Sequence, residues 1–189
     1  MWLPYWNLRF DPFTATPPTF VRMPAHEEAI ARLVTVVEAG ERFVVVRGAE
    51  GVGKSVVLHQ ALREIRGPSR RPVWASAPPD VESLCVSLAS QLTGQPVRAG
   101  GRGGSWKALI DAVKVCHLQK VHPILILDEL HAAGSDVGTE TIERLSHVGS
   151  LAGRLTVWAS QRDADPPDVI GGGSGAWRLS VRVTSLTYA

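Results

Sequence analysis

The fold of this chain is decided by an eight-residue stretch, Gly48-Ala49-Glu50-Gly51-Val52-Gly53-Lys54-Ser55. It matches the pattern G-x-x-x-x-G-K-[ST], which forms a loop whose backbone N–H groups surround the phosphates of a nucleotide. Its glycines allow the backbone to curl tightly at positions where a Cβ would collide with phosphate. We call residues 48–55 the phosphate loop and predict that all eight contribute to nucleotide binding.

Two side chains of the phosphate loop carry distinct predicted roles. The ammonium of Lys54 can reach the β- and γ-phosphates, and the hydroxyl of Ser55 can bind Mg²⁺. The flanking sequence favours this interpretation, because Phe43 to Arg47 reads as a buried strand and a helix follows from Val56. The start of that helix would add the positive end of its dipole to the phosphate site.

The composition is that of a globular domain. The 189 residues are 44% hydrophobic and 20% charged, with a formal net charge of +2. This charge is too small to indicate nucleic-acid binding by itself. A DNA-binding patch is the less favoured interpretation of the arginines between residues 63 and 102, which are more simply solvated surface residues: Arg63, Arg66, Arg70, Arg71, Arg98 and Arg102.

Targeting signals and reactive cysteines are not indicated by the sequence. No apolar run reaches the ~18 residues of a membrane span, and the first ten residues lack the cationic start and apolar core of a secretion signal. Cys85 and Cys116 fall on the apolar faces of predicted helices, which favours two buried thiols, no cysteine metal site and a cytoplasmic protein.

Predicted strands and helices alternate along most of the chain. Residues 1–23 are rich in proline and aromatic residues and are predicted to wrap the surface, with their rings against the core. Residues 24–189 are predicted to form the main domain, with a first helix opened by Pro24 and stopped by Gly40. Strand–helix alternation predicts a three-layer α/β fold with a mostly parallel sheet.

An acidic pair follows the most apolar predicted strand, Ile124-Leu125-Ile126-Leu127. Because parallel strands end at the same edge of a sheet, Asp128 and Glu129 are predicted to lie near the phosphate loop. Asp128 would hold Mg²⁺, and Glu129 would orient or deprotonate the attacking water. Together with Lys54, this pair predicts hydrolysis of a nucleotide rather than binding alone.

A further polar pair ends the predicted strand Leu155 to Ala159. This pair, Ser160-Gln161, could place a polar side chain between the phosphate loop and Glu129, which is the position of a γ-phosphate sensor. An ordinary polar surface residue is an equally good interpretation. His131 is interpreted as a loop residue without a catalytic role.

Three stretches carry a family resemblance: YWNLRFDPF from Tyr5 to Phe13, PAHEEAIARL from Pro24 to Leu33, and EAGERFVVVRG from Glu38 to Gly48. They resemble the AAA+ ATPases of the ExeA/GspA type, which are associated with general secretion and pilus biogenesis. Related helper ATPases of the TniB type serve DNA transposition. LTVWASQ, residues 155–161, is similar to that family's strand ending in Gly-Gln, with Ser160 in the place of glycine.

The resemblance implies a five-stranded sheet of order 5-1-4-3-2, with the fourth strand between the loop strand and the Asp-Glu strand. This order makes Gln161, at the end of the fourth strand, the expected sensor. It also implies a homo-oligomer that uses ATP and Mg²⁺ to do conformational work on a partner. Arg178 matches the family's arginine finger loosely. The sequence ends at Ala189, just after the last predicted strand, so the family's helical lid is expected to be absent.

Three functions therefore remain open. The first is an ATPase of the secretion or pilus type, acting on a protein partner. The second is a nucleotide-binding module with little turnover, which the expected loss of the lid motivates. The third is a DNA-associated transposition helper, which the TniB resemblance and the arginines between residues 63 and 102 motivate.

Overall fold

The computed structural model describes residues 5, 7, 23–76, 80–98, 103–133, 135–162 and 179–182. Five α-helices are found in these ranges: α1 (Pro24–Ala39), α2 (Lys54–Glu64), α3 (Val81–Thr93), α4 (Gly104–Leu118) and α5 (Ser135–Ala152). The strands there are β1 (Phe43–Gly48), β2 (Arg70–Ser76), β3 (His122–Asp128), β4 (Thr156–Arg162) and β5 (Leu179–Arg182). A short 3₁₀ helix, Leu130–Ala133, follows β3.

The strands form one parallel sheet. Strand β4 lies between β1 and β3, and β2 pairs with the other side of β3. The 1-4-3-2 part of the predicted order is therefore confirmed. The four-residue strand β5 pairs with the free side of β1, which gives the order β2-β3-β4-β1-β5.

Two layers of helices cover the sheet, as the alternation predicted. Helices α1 and α2 pack on one face against Val44, Val46 and Trp158. Helices α3, α4 and α5 pack on the other face, which carries the alternate residues of β1, β3 and β4: Phe43, Val45, Leu125, Leu127, Val157 and Ala159. Strands β3 and β4 are buried on both faces along most of their length, and this explains the wholly apolar run of residues 124–127 in β3.

Local capping sets where the helices begin and end. Pro24 is the first residue of α1, and Gly40 ends it with a left-handed φ of 75°. Asp80 caps α3 by accepting from the Ser83 N–H at 2.7 Å. Helix α4 begins at Gly104 after Gly103, and Ser105 is buried in its first turn.

Several sequence predictions fall on parts of the chain outside the described residues. The proposed wrapping segment, residues 1–23, is described only at positions 5, 7 and 23. Tyr5 is 82% exposed, so this ring is not packed on the core as predicted. Arg178 lies outside the described ranges, and the expected absence of a lid stays a prediction.

Two of the bulk predictions can be compared with the described residues. Cys85 and Cys116 are free thiols and both are buried. Burial raises the pKa of Cys85 to about 11, which makes the thiolate scarce at neutral pH. In the part of the chain that the structure describes, no helix has the length and apolarity to cross a membrane.

Candidate phosphate-binding site

A cavity of about 370 Å³ lies at the carboxyl ends of β1, β3 and β4. Ligands of open parallel sheets bind at this edge, because the strands deliver their following loops there. The phosphate loop and the ends of β3 and β4 line the cavity, through Glu50, Gly51, Gly53, Lys54, Ser55, Val56, Asp128, Glu129, Ser160 and Arg162.

The backbone of the phosphate loop takes the conformation that its glycines allow. Gly51 and Gly53 have φ angles of 75° and 91°, which strain any residue with a Cβ. Gly53 is the residue before α2, and Val57 donates to its carbonyl at 3.0 Å. Helix α2 therefore starts at the cavity and directs its N-terminal N–H groups toward it.

Lys54 lies over the curve of the loop. Its Nζ donates to the carbonyls of Gly48 at 2.9 Å and Ala49 at 2.8 Å. These contacts hold the ammonium at the centre of the concave backbone, where a phosphate chain would approach. Ala49 and Val52 contribute backbone to the loop, although neither lines the cavity.

His26 supports the loop from α1, and the sequence analysis missed it. Its side chain is 6% exposed, and its Nε2 lies 2.9 Å from the Val52 carbonyl oxygen. Because a carbonyl only accepts, Nε2 carries the proton in this bond. A Cβ at Gly53 would lie 3.4 Å from the imidazole ring. The loop is thus packed against the first turn of α1.

Asp128 is a buried carboxylate at the end of β3, with 6% of its surface exposed. Its Oδ1 accepts from the Ser160 hydroxyl at 2.6 Å and from the Glu129 backbone N–H at 3.1 Å. These donors fix the orientation of the carboxylate beside Ser55, which lines the same cavity. The charge of Asp128 is held by hydrogen bonds rather than left bare in the core.

Glu129 begins the connection after β3 in a left-handed conformation, with a φ of 54°. This region is costly for a residue with a side chain and is found where surrounding contacts hold it. Here the N–H of Glu129 donates to Ser160 Oγ at 2.8 Å, and the following Leu130 is buried. The exposed side chain of Glu129 lines the cavity with Lys54 and Asp128.

The predicted sensor Gln161 is not brought into this cavity. Successive residues of a strand point to opposite faces, and Ser160 shares its face with Trp158 on the α1–α2 side. Gln161 shares its face with Val157 and Ala159, on the α3–α5 side, and is 1% exposed. Its amide has no hydrogen-bond partner within the described part of the chain. Its sensor role stays a prediction, and Ser160 takes the polar position beside Asp128.

Arg162, the last residue of β4, was also missed. It is the register partner of Gly48 and lines the cavity. Its Nη2 forms an ion pair with Glu50 Oε1 at 3.2 Å, so β4 is tied to the phosphate loop. Neither Ser160 nor Arg162 belongs to the phosphate-loop pattern, and only the pairing of β4 with β1 brings them to the loop.

The residues predicted to bind Mg²⁺ fit a hard cation. Ser55 offers a hydroxyl and Asp128 a carboxylate in one cavity, and Mg²⁺ prefers oxygen ligands with phosphates and waters completing its shell. Among the described residues, no cluster of three or more His, Cys, Asp or Glu could hold a metal without such help. The site therefore suits a cation that arrives with a phosphate ligand.

The parallel sheet, the glycine-rich loop before α2 and the acidic residue at the end of β3 define a nucleotide-binding protein of the P-loop class. Residues 37–158 match the profile of the AAA domain family. The chain belongs to this family, as its resemblance to AAA+ ATPases indicated. The finer assignment to the ExeA/GspA or TniB type is not part of this finding.

Solved structures share the fold at low sequence identity. An Aeropyrum pernix ORC2 protein in ADPNP and ADP complexes has a TM-score of 0.68 and 16% identity, covering 93% of this chain and 50% of that one. Drosophila ORC bound to DNA has a TM-score of 0.68 and 14% identity, covering 87% and 44%. Pyrobaculum aerophilum Cdc6p has a TM-score of 0.64 and 16% identity, covering 92% and 49%.

The chain thus spans about half the length of these structures. At such identities the likeness establishes the fold alone. No curated protein matches the chain in sequence at a significant level.

Proposed function

We propose that this chain binds ATP with Mg²⁺ at the phosphate loop and hydrolyses its terminal phosphoanhydride bond. The observation that carries the proposal is the meeting of Lys54, Ser55, Asp128 and Glu129 in one cavity, although they come from two distant parts of the sequence. For a module that binds a nucleotide without hydrolysing it, the phosphate loop is sufficient. A catalytic carboxylate, here that of Glu129 directly after β3, is the additional part that hydrolysis needs.

Each residue has a defined part in this reaction. The loop N–H groups and Lys54 hold the β- and γ-phosphates, and Ser55 and Asp128 would hold Mg²⁺, which neutralises phosphate charge when bound. Glu129 accepts a proton from water as the water oxygen bonds to the γ-phosphorus. The bond from that phosphorus to the bridging oxygen breaks, giving ADP and phosphate. Ser160 holds Asp128 and the Glu129 backbone in place.

The test is a pair of substitutions measured for both binding and turnover. Glu129→Gln should lower phosphate release by at least about 100-fold, because the general base is lost, while ATP binding survives. Lys54→Ala should lower ATP affinity itself. Glu143→Gln, an equal charge change at an exposed residue of α5, is the matched control and should behave as the unsubstituted protein. Equal turnover in Glu129→Gln would contradict the mechanism.

A nucleotide-binding module with little turnover is the second candidate. This candidate needs only the phosphate loop, over which Lys54 is held by the carbonyls of Gly48 and Ala49. Calorimetry would then detect ATP binding, and no phosphate would be released at any protein concentration. Turnover that rises with protein concentration would instead indicate that neighbouring copies complete the site in a homo-oligomer.

The partner on which hydrolysis acts is a separate question. The secretion and pilus interpretation rests on the resemblance of the N-terminal stretches, and a protein partner follows from it. DNA is the competing interpretation, supported by the shared fold with ORC structures, one of them bound to DNA. Titration with duplex DNA over a range of salt concentrations separates the two, because DNA binding through arginines weakens steeply with salt.

A further inference from the structure

We propose that Arg162 is a ligand of the terminal phosphate of the bound nucleotide, and that Glu50 competes with this phosphate for the Arg162 guanidinium. The inference rests on the proposed function, since it assigns a role within the same cavity. It adds to the site a residue that the phosphate-loop pattern does not contain. It also gives Glu50, a residue of the loop, a part in distinguishing ATP from ADP.

The position of Arg162 follows from strand pairing. In the parallel register, Arg162 lies opposite Gly48, the first residue of the phosphate loop. Every second residue of a strand lies on the same face, so Arg162 leaves β4 on the same side as Ser160, whose hydroxyl reaches Asp128. Both Arg162 and Ser160 line the cavity together with Lys54. The guanidinium is therefore carried at the end of the central strand, in the cavity that Asp128 and Glu129 also line.

Glu50 holds this guanidinium by a contact that is readily exchanged. Arg162 Nη2 lies 3.2 Å from Glu50 Oε1, and the two side chains are 43% and 76% exposed. Ion pairs this exposed are weak, because water and salt screen them. A triphosphate terminus offers more negative charge and several acceptor oxygens, and arginine binds such groups with two parallel N–H donors. Arg162 can thus exchange one carboxylate oxygen for phosphate oxygens.

The charges around the cavity favour this exchange for ATP over ADP. The lining residues include the carboxylates of Glu50, Asp128 and Glu129 against the cations Lys54 and Arg162. A γ-phosphate adds charge beside Asp128 and Glu129, and a second cation offsets that repulsion. ADP lacks this group, so Arg162 would stay with Glu50 when ADP is bound. Arg162 would therefore distinguish the two nucleotides.

Calorimetric titration with a non-hydrolysable ATP analogue plus Mg²⁺, and separately with ADP plus Mg²⁺, tests the assignment. Arg162→Ala should lower affinity for the analogue by about tenfold and leave ADP affinity essentially unchanged. Arg162→Lys keeps the charge but loses the planar fork, so its affinity for the analogue should lie between those of the unsubstituted protein and Arg162→Ala. This variant also guards against a folding defect in the alanine variant. Arg144→Ala, at an arginine paired with Glu140 on α5, is the matched control.

A double-substitution cycle tests the competition with Glu50. Glu50→Gln should raise analogue affinity in the unsubstituted protein, and this gain should shrink in the Arg162→Ala background. Unchanged analogue affinity in Arg162→Ala, or an equal loss for analogue and ADP, would overturn the assignment to the terminal phosphate. An equal Glu50→Gln gain in both backgrounds would overturn the competition. The proposed function itself fails if the unsubstituted protein binds neither nucleotide. It also fails if Lys54→Ala binds the nucleotides as tightly as the unsubstituted protein does.

Discussion

Thr156 and Ser160 are hydroxyl residues at opposite ends of β4, and their chemistry is nearly the same. Both are fully buried, and their even spacing places them on one face of the strand. Each hydroxyl bridges β4 to an end residue of β3. Thr156 Oγ1 contacts His122 Nε2 at 3.1 Å, and Ser160 Oγ donates to Asp128 Oδ1 at 2.6 Å.

The difference lies in what each hydroxyl holds. Thr156 donates to the Glu41 carbonyl at 2.8 Å, so its hydroxyl oxygen accepts from His122 Nε2–H. The hydroxyl, the carbonyl and the imidazole thus form a hydrogen-bonded set of neutral groups. Ser160 holds a carboxylate that lines a cavity, together with the backbone of Glu129. The same pairing of two strands is thus used for stability at one end and for orienting charged groups at the other. Loss of Thr156 should affect folding, and loss of Ser160 should affect turnover.

Of the substitutions that test this difference between the two ends of β4, Ser160→Ala should have the largest effect. Removing the hydroxyl leaves Asp128 with one fewer donor and weakens the hold on Glu129, so turnover should fall by about ten- to hundredfold. ATP affinity should fall much less, because the phosphate loop is untouched. Phosphate release and calorimetric binding measure the two quantities. Ser160→Thr, which keeps the hydroxyl, should restore part of the turnover; identical turnover in both variants would deny Ser160 an orienting role.

Thr156→Val is the matched substitution at the other end of β4. It keeps the shape but leaves the His122 N–H and the Glu41 carbonyl without this partner, at a cost of about 2 kcal/mol in the free energy of unfolding. Chemical denaturation measures that cost. Nucleotide affinity and turnover of the folded protein should be unchanged, since Thr156 does not line the cavity. A turnover loss as large as that of Ser160→Ala would show that the two ends are not separate.

The neutral state of His122 predicts a pH dependence for folding. Burial, followed by the charges of Arg154 and Arg70, lowers the pKa of His122 from 6.5 to about 4. The unfolded chain therefore binds more protons between these values, and stability falls as the pH drops from 6.5 toward 4. The contribution of this one residue is on the order of 2 kcal/mol. The free energy of unfolding, measured by urea denaturation at each pH, should fall less steeply with decreasing pH in His122→Gln. An unchanged pH dependence in this variant would assign the effect to other groups.

The sequence predicted those parts of the site that lie in one local pattern. The phosphate loop reads directly from residues 48–55, and Asp128-Glu129 reads from its place after an apolar strand. Both predictions need only the rule that parallel strands end at one edge. The AAA domain family and the 1-4-3-2 strand order also agree with the sequence interpretation.

The contacts that were missed join residues far apart in the chain. His26 reaches Val52 across 26 positions, and Ser160 reaches Asp128 across 32. Strand β4 is buried on both faces, and its sequence, TVWASQR, has no period-two alternation of polar and apolar residues that would show which side each residue faces. Without that pattern the choice between Ser160 and Gln161 could not be made, and the resemblance favoured Gln161. The pairing of β4 with its neighbours makes the choice.

Gln161→Leu gives the smallest expected effect and the most direct test of that choice. The amide is buried on the α3–α5 side of the sheet and has no hydrogen-bond partner in the described ranges. Replacing it with an apolar side chain of similar size should therefore raise the free energy of unfolding by about 1 kcal/mol. Turnover should not change, which is the reverse of the result expected for Ser160→Ala. If Gln161→Leu instead lowers turnover while ATP binding survives, Gln161 reaches the nucleotide during the reaction, and the sensor predicted from the sequence is the correct one.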